Sequence, residues 1–158
     1  ERCLSKHDPE RNSRMAGECW LNHVPIPTHH IHVIRGELGP KQAALRYAKA
    51  IRHVGEFDLA LLGLGEDGHT ASLFPGHPWG IAADACDTLP VFAAPKPPAQ
   101  RVSLSAARLS RSKKVVFVVS GQAKQGAVAD WRAHKDIPAR AIVPPSGVDV
   151  MIESSLLR

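Results

Sequence analysis

Two short apolar runs, each followed at once by a glycine turn, constrain the fold more than any other feature of the sequence. The first covers residues 57–62 and ends at Gly63, and the second covers residues 115–119 and ends at Ser120 and Gly121. Apart from Asp58, both runs are apolar at every position rather than alternating, which is typical of strands covered on both faces. Because predicted helices alternate with the strands along the chain, the pattern indicates an α/β sandwich around a mostly parallel sheet.

The rest of the chain alternates between helix and strand. Apolar residues at helical spacing predict helices over 10–23, 40–54 and 123–134. Shorter apolar segments predict strands over 31–34, 89–92, 102–104 and 148–152. The inward-facing residues of the first two helices are predicted to be Met15, Cys19, Leu21, Ala44, Leu45, Ala48 and Ile51. Trp20 and Trp131 are interpreted as core or interface residues.

Length and composition exclude several classes of protein. The chain has 158 residues, of which 44% are hydrophobic and 22% are charged. Collagen-like, coiled-coil and disordered proteins do not have this composition. One domain over 1–158 is predicted from the length. The longest apolar run is far shorter than the ~20 residues that cross a bilayer, so no membrane partner is expected.

Charge and cysteine content indicate the kind of partner and the compartment. The formal charge of +5 favours anionic partners, but the basic residues are dispersed, so a small phosphorylated ligand is expected rather than a nucleic acid. Cys3, Cys19 and Cys86 include no Cys-x-x-Cys pair. Widely spaced thiols of this kind are typical of a cytoplasmic protein with reduced cysteines.

The loop after the first apolar run, 63–75, carries the residues best suited to chemistry. Ligands bind at the carboxyl ends of strands in open α/β sheets. Gly65 and Gly68 permit backbone conformations that other residues obstruct, so Asp67 and His69 are expected to project into a crevice. An imidazole, with an unperturbed pKa near ~6.5, exchanges protons at neutral pH. Taken alone, an Asp-Gly-His segment is also typical of an ordinary turn.

The longer string decides between these interpretations. Gly-Leu-Gly-Glu-Asp-Gly-His-Thr-Ala-Ser-Leu-Phe-Pro, over 63–75, closely resembles the central motif of 6-phosphogluconolactonases. The resemblance continues, in order along the chain, in Glu1 and Arg2 followed by Asn12, in Arg-Val-Ser-Leu-Ser over 101–105, and in Gly-Gln-Ala-Lys over 121–124. It therefore covers nearly the whole chain.

This resemblance implies a fold and an activity. The fold is a Rossmann-like, mostly parallel sheet flanked by helices, similar to that of glucosamine-6-phosphate deaminases and ribose-5-phosphate isomerases. The activity is hydrolysis of 6-phospho-D-glucono-1,5-lactone to 6-phosphogluconate, the second step of the oxidative pentose phosphate pathway. No metal or organic cofactor is expected.

The resemblance also implies roles for single residues. His69 is expected to act as the general base toward water and then to protonate the departing ring oxygen. Asp67 either orients His69 and stabilises its cation or caps turn amides. Loop amides and the Arg2 guanidinium are both candidates for stabilising the oxyanion. Lys124, with Arg101 nearby, is expected to contact the phosphate. The substrate-binding residues are predicted to be Arg2, Gly65, Gly68, Arg101 and Lys124.

Some features of the family have no counterpart in this sequence. Family members carry an Asp before the residue that corresponds to Glu1 and, further upstream, a Gly/Ser-rich phosphate-binding loop and the first strands of the sheet. We therefore expect this chain to be the carboxy-terminal portion of a longer protein, with an exposed apolar sheet edge that favours association. Whether these residues are active alone is left open. Arg11 stands in place of a Ser, and Glu153 in place of an Asp.

Three alternative interpretations follow from the same residues. A sugar-phosphate deaminase or isomerase shares the Asp-Gly-His element but carries a carboxylate shortly after it, where this chain has Phe74. A noncatalytic sugar-phosphate-binding domain is the second alternative. A zinc site at His29, His30 and His32 is the third, but no acidic or thiol partner lies at ligand spacing, so a solvated loop and no metal are predicted.

Overall fold

A computed structural model describes all 158 residues of the chain. The helices are α1 (Asn12–Cys19), α2 (Pro40–Ile51), α3 (Ala106–Ser110) and α4 (Gln125–Arg132). The strands are β1 (Ala60–Gly63), β2 (Thr88–Val91), β3 (Arg101–Leu104), β4 (Val115–Val119) and β5 (Val148–Ile152). Two compact units are formed, unit 1 by Glu1–His53 with Thr88–Ser103 and unit 2 by Val54–Asp87 with Leu104–Arg158. None of the helices is long and apolar enough to span a membrane.

The sheet of unit 2 is parallel, as the apolar runs predict. β4 lies in the centre and pairs with β1 on one side and with β5 on the other. The register places Gly63 opposite Val118 and Val119 opposite Ile152. The carboxyl ends of all three strands therefore meet at one edge of the sheet, and the segments that follow them leave from that edge.

One face of this sheet is packed and the other is largely exposed. Phe117 of β4 is fully buried and meets the ring of Trp131 from α4 edge-on, at 4.7 Å between centroids. The opposite face carries Leu61, Val118 and Met151, which are 66%, 54% and 65% exposed. The prediction of strands covered on both faces therefore holds only in part for unit 2, because on this second face Val116 is buried but its neighbours are not.

In unit 1, α2 supplies the core. Ala43 and Ala44 are buried together with Val102 of β3, and the Thr88 hydroxyl donates a hydrogen bond to the Ala44 carbonyl at 2.8 Å. Leu45, predicted to face inward, is instead exposed. The buried positions of α2 follow the spacing of three and four residues from Pro40, and Leu45 lies beside that stripe.

The first helix is shorter and more exposed than predicted. α1 begins at Asn12 and ends at Cys19, a separate 3-10 turn covers Leu21–His23, and none of the residues of α1 is buried. Met15 and Trp20 are 57% and 52% exposed, and Cys19 is exposed as well. The predicted inward positions Met15 and Cys19, and a core position for Trp20, are wrong because polar contacts rather than apolar ones hold this helix.

Those polar contacts come from the beginning of the chain. The Glu1 carboxylate accepts hydrogen bonds from the backbone N–H groups of Asn12 and Ser13, at 2.8 and 2.9 Å, and so caps the start of α1. The side chain of Arg11 is 3% exposed and donates to the Glu37 carboxylate at 2.7 Å. Partial burial alone would raise the pKa of Glu37, but hydrogen bonds from the side chains of Arg35 and Arg11 hold it down at about 2.

The strand predicted over 31–34 does not form. The Ile34 carbonyl accepts from Arg11 Nη2 and from the backbone N–H of Gly36, both at 2.9 Å. A strand needs the backbone of a neighbouring strand for these groups. Because a buried arginine satisfies the carbonyl instead, the segment stays irregular.

Candidate active site

The loop that follows β1 closes on itself through its own hydrogen bonds. The Gly65 N–H donates to the His69 carbonyl at 2.7 Å, and the Gly68 N–H donates to the Gly65 carbonyl at 3.1 Å. The buried Thr70 hydroxyl donates to the carbonyl of Gly63 at 2.9 Å. The loop is thus a compact turn at the carboxyl edge of the sheet, as the sequence predicts.

Two glycines are required for this turn. A β-carbon at Gly65 would lie 1.9 Å from His69 Nδ1, so any side chain there would displace the imidazole. Gly68 has a φ of +79°, and a β-carbon on it would lie 2.8 Å from the β-carbon of Ile137. The N–H groups of both glycines donate within the loop. Both glycines therefore shape the loop, and their predicted contact with substrate stays a prediction.

Asp67 and His69 form a hydrogen-bonded pair. Asp67 Oδ1 lies 2.5 Å from His69 Nδ1 and also accepts from the His69 backbone N–H at 3.2 Å. Partial burial would by itself raise the pKa of the Asp67 carboxyl, but these two hydrogen bonds outweigh it and hold the pKa below its usual value. An ionised carboxylate only accepts hydrogen bonds, so it favours the proton on Nδ1 and leaves Nε2 as an acceptor.

The ring of Phe74 packs against the imidazole of His69. Its side chain is fully buried, and its ring centroid lies 4.7 Å from that of His69 at an angle of 37°. The ring of His77 lies 6.1 Å from that of Phe74, between centroids, at an angle of 64°. The sequence reasoning used Phe74 only to separate two reaction types and missed this contact. An aromatic residue five positions after the histidine was the available signal.

The turn after β4 carries Lys124. Gly121 has a φ of +91°, and its N–H donates to Glu153 Oε2 at 2.8 Å, which lowers the pKa of that carboxyl. Lys124 ends the 3-10 turn and is the N-cap of α4. The loop of His69 and the turn of Lys124 therefore leave from the carboxyl ends of two neighbouring strands. The contribution of Glu153 to this turn was also missed.

The two predicted arginines lie in unit 1. Arg2 and Arg101 form an antiparallel bridge through their backbones. Arg2 Nη1 donates to the Glu10 carbonyl at 2.6 Å, whereas its buried Nε–H has no acceptor. Arg101 is buried, and its guanidinium donates to three carbonyls of the proline-rich loop, those of Lys96, Pro97 and Pro98. Arg101 therefore holds this loop in place, and its contact with a phosphate stays a prediction.

Comparison with known proteins now identifies the family. The model of the family described as glucosamine-6-phosphate isomerases/6-phosphogluconolactonase matches residues 1–151. The chain belongs to this family. Its sequence is 35% identical over 136 residues to the 6-phosphogluconolactonase of Homo sapiens, covering 80% of the chain and 52% of the human protein. It is 36% identical over 157 residues to the 6-phosphogluconolactonase of Synechocystis, covering 91% of the chain and 64% of that protein.

The solved structures support the same family fold. The crystal structure of 6-phosphogluconolactonase from Thermotoga maritima superposes with a TM-score of 0.87 at 26% identity, over 96% of this chain and 69% of that one. The predicted Rossmann-like α/β fold of the family is thereby confirmed. The chain spans about half the length of the human relative.

Proposed function

We propose that this member of the family hydrolyses 6-phospho-D-glucono-1,5-lactone to 6-phosphogluconate, as the second step of the oxidative pentose phosphate pathway. The observation that carries the proposal is the hydrogen-bonded pair of Asp67 and His69 at the carboxyl edge of the parallel sheet. The names of the two relatives support the same reaction.

The pair supports a mechanism with one proton carrier. His69 Nε2 takes a proton from water as the water oxygen bonds to the lactone carbonyl carbon. The carboxylate of Asp67, bonded to Nδ1, stabilises the imidazolium that forms. The tetrahedral intermediate then collapses, the bond from the carbonyl carbon to the ring oxygen breaks, and the imidazolium returns its proton to that oxygen. The products are a free hydroxyl and a carboxylic acid that ionises.

Cationic groups fit the charges of this substrate. Lys124 is half-buried, and no carboxylate lies within ion-pair distance of it, so its ammonium suits a phosphate at the start of α4. The buried Nε–H of Arg2, which has no acceptor, suits a contact with an anionic group of the ligand. Loop amides and Arg2 both stay candidates for the oxyanion.

Phe74 favours lactone hydrolysis over sugar-phosphate deamination. If the protein were a sugar-phosphate deaminase, a carboxylate a few residues after the histidine would be expected to open the sugar ring. Here that position holds a fully buried phenyl ring against His69. A phenyl ring neither takes nor gives a proton, so position 74 supplies no acid or base for ring opening, whereas the hydrogen-bonded Asp67 and His69 suit ester hydrolysis.

The proposal is tested by assaying the complete protein on two substrates. We expect hydrolysis of 6-phosphogluconolactone well above the rate measured in the same buffer without protein. No release of ammonia from glucosamine 6-phosphate is expected. Lactone opening at the uncatalysed rate would leave a noncatalytic sugar-phosphate-binding domain as the better interpretation, and ammonia release would favour the deaminase.

Replacement of Lys124 by alanine tests the phosphate contact. We expect Lys124→Ala to weaken binding of 6-phosphogluconate about tenfold or more, because a charge-assisted hydrogen bond to a phosphate oxygen is lost. Binding of unphosphorylated gluconate should stay within about twofold, since gluconate lacks that group. Isothermal titration with both ligands measures the difference, with Lys49→Ala on α2 as the matched control. Equal losses for the two ligands would remove Lys124 from the phosphate site.

We also propose that the protein acts in the cytoplasm, without a cofactor and without a nucleic-acid partner. Cys3, Cys19 and Cys86 are free thiols, which suits a reducing compartment. Cell fractionation with thiol labelling tests the location.

A further inference from the structure

Unit 2 contains a groove that the proposed reaction does not use. It has a volume of about 620 Å³, and its lining includes Trp79, Ile81, Arg111, Asp136, Arg140 and Val143. We call it the Trp79 groove. We propose that the Trp79 groove binds a planar aromatic molecule with one negative charge, and that this ligand acts on the loop of His69. The second half of the proposal rests on the proposed function, and the first does not.

The apolar part of the groove is built around a fixed indole ring. Trp79 Nε1 donates to the Phe74 carbonyl at 2.7 Å, and the Trp79 carbonyl accepts from the Ala106 N–H at 2.8 Å. Ile81 and Val143, each 70% exposed, add apolar surface to the same lining. A concave site with an oriented aromatic ring and aliphatic walls suits a planar ring that stacks or packs edge-on.

The charges of the groove favour a single negative charge on the ligand. Arg111 is paired with Asp87, which also faces the buried Arg108 at 3.8 Å. Arg140 has no carboxylate partner and donates to the carbonyls of His134 and Lys135. The lining itself holds Arg111, Arg140 and Asp136, a formal charge of +1, whereas Asp87 and the buried Arg108 lie outside it and offset each other. A carboxylate or a singly charged phosphate ester satisfies this excess.

Two contacts connect the groove to the loop of His69. The first is the hydrogen bond from Trp79 to Phe74, whose ring packs on the imidazole. The second runs through the 3-10 turn Pro138–Ala141, in which the Ala139 N–H donates to the Gly68 carbonyl at 3.1 Å. A ligand that restrains Trp79 and this turn therefore favours the loop geometry described above.

Binding is tested with 2-naphthoate, a planar aromatic carboxylate, in the absence of substrate. We expect 2-naphthoate to bind at least about tenfold more tightly than 2-naphthylmethanol, which lacks the charge, or cyclohexanecarboxylate, which lacks the aromatic ring. Isothermal titration measures all three. Saturating 6-phosphogluconate should not displace 2-naphthoate. Displacement, or no binding at millimolar concentration, would overturn the proposal.

Variants locate the ligand within the groove. Trp79→Leu and Arg140→Gln should each weaken 2-naphthoate binding about tenfold. Trp20→Leu and Arg46→Gln, at exposed positions of unit 1, are the matched controls and should leave it unchanged. Circular dichroism checks that each variant is folded. Unchanged binding in Trp79→Leu or in Arg140→Gln would exclude the groove as the binding site.

Trp79→Phe separates binding from its effect on the loop. It keeps an aromatic ring but loses the N–H that bonds to Phe74, so 2-naphthoate binding should fall by no more than about threefold. In the unsubstituted protein, 2-naphthoate should raise kcat for lactone hydrolysis about twofold, and Trp79→Phe should abolish this increase. Binding without any change in kcat would overturn the regulatory half. Absence of lactone hydrolysis in every sample would instead count against the proposed function.

Discussion

Replacement of His69 by alanine is expected to lower kcat/KM for lactone hydrolysis by about 10²- to 10⁴-fold. The imidazole is the one group in the loop after β1 that both takes the proton of water and returns it to the ring oxygen. Its position depends on Gly65, on the carboxylate of Asp67 and on the ring of Phe74. The rate is measured in the complete protein, after subtraction of spontaneous lactone opening.

Three comparisons make this result specific. His69→Gln keeps a hydrogen-bonding side chain of similar size, but an amide neither accepts nor returns a proton at neutral pH, so it should lose as much activity as His69→Ala. Asp67→Asn should lose less, about tenfold, because the imidazole remains but is less well oriented and its cation less stabilised. His29→Ala, on an exposed turn, should be unaffected. Near-normal turnover in His69→Ala would reject the role of general base.

The lowered pKa of Asp67 determines the pH range in which its carboxylate is ionised. Because the folded-state pKa lies below the usual value of 3.8, Asp67 is ionised at any pH at which a neutral imidazole acts as a base. The stability gained from ionised Asp67 is fully present above pH 3.8 and is lost as pH falls through the lowered folded-state pKa. Acidification to pH 5 should therefore not remove this contribution to folding.

The parts of the fold that the sequence predicts are those encoded by neighbouring residues. The run over 115–119 is continuously apolar and becomes the central strand β4. Pro40 begins α2, as predicted. The loop of His69 is recognisable for the same reason, since its glycines, carboxylate and imidazole lie within a few positions of one another.

The errors arise where distant residues decide the structure. The segment 31–34 is apolar enough for a strand, but Arg11 donates a hydrogen bond to the Ile34 carbonyl in place of a neighbouring strand. Glu1 caps α1 from eleven residues away, so that helix forms without an apolar face against the core. In the site, Ile137 explains why Gly68 is needed, and Glu153 holds the turn that precedes Lys124. Nothing in the local pattern at these positions indicates such contacts.

Arg108 illustrates a buried charge whose role is structural. Its side chain is fully buried, and the guanidinium carbon lies 3.7 Å from the centroid of the Phe57 ring. Its two terminal nitrogens donate to the carbonyls of Arg111 and Val54, each at 3.3 Å. One planar group thus holds the segment before β1, the end of α3 and, through an ion pair at 3.8 Å, Asp87.

Replacement of Arg108 by methionine is therefore expected to lower the free energy of unfolding by about 3 kcal/mol. Methionine fills part of the volume but removes the donor to the Val54 carbonyl and the cation on Phe57, whereas the Arg111 carbonyl keeps the Phe57 N–H at 3.1 Å. The loss lies at the lower end for a broken buried pair because Asp87 keeps Arg111 as a partner. In a chain of this size, the change corresponds to a fall in Tm of about 10 °C.

Arg108→Lys should recover only part of the lost stability, since a lysine ammonium cannot lie flat on the ring and reach both carbonyls. Arg46→Met, at an exposed position of α2, should change Tm by no more than about 2 °C. A Tm in Arg108→Met equal to that of Arg46→Met would mean that the buried guanidinium adds no net stability to unit 2.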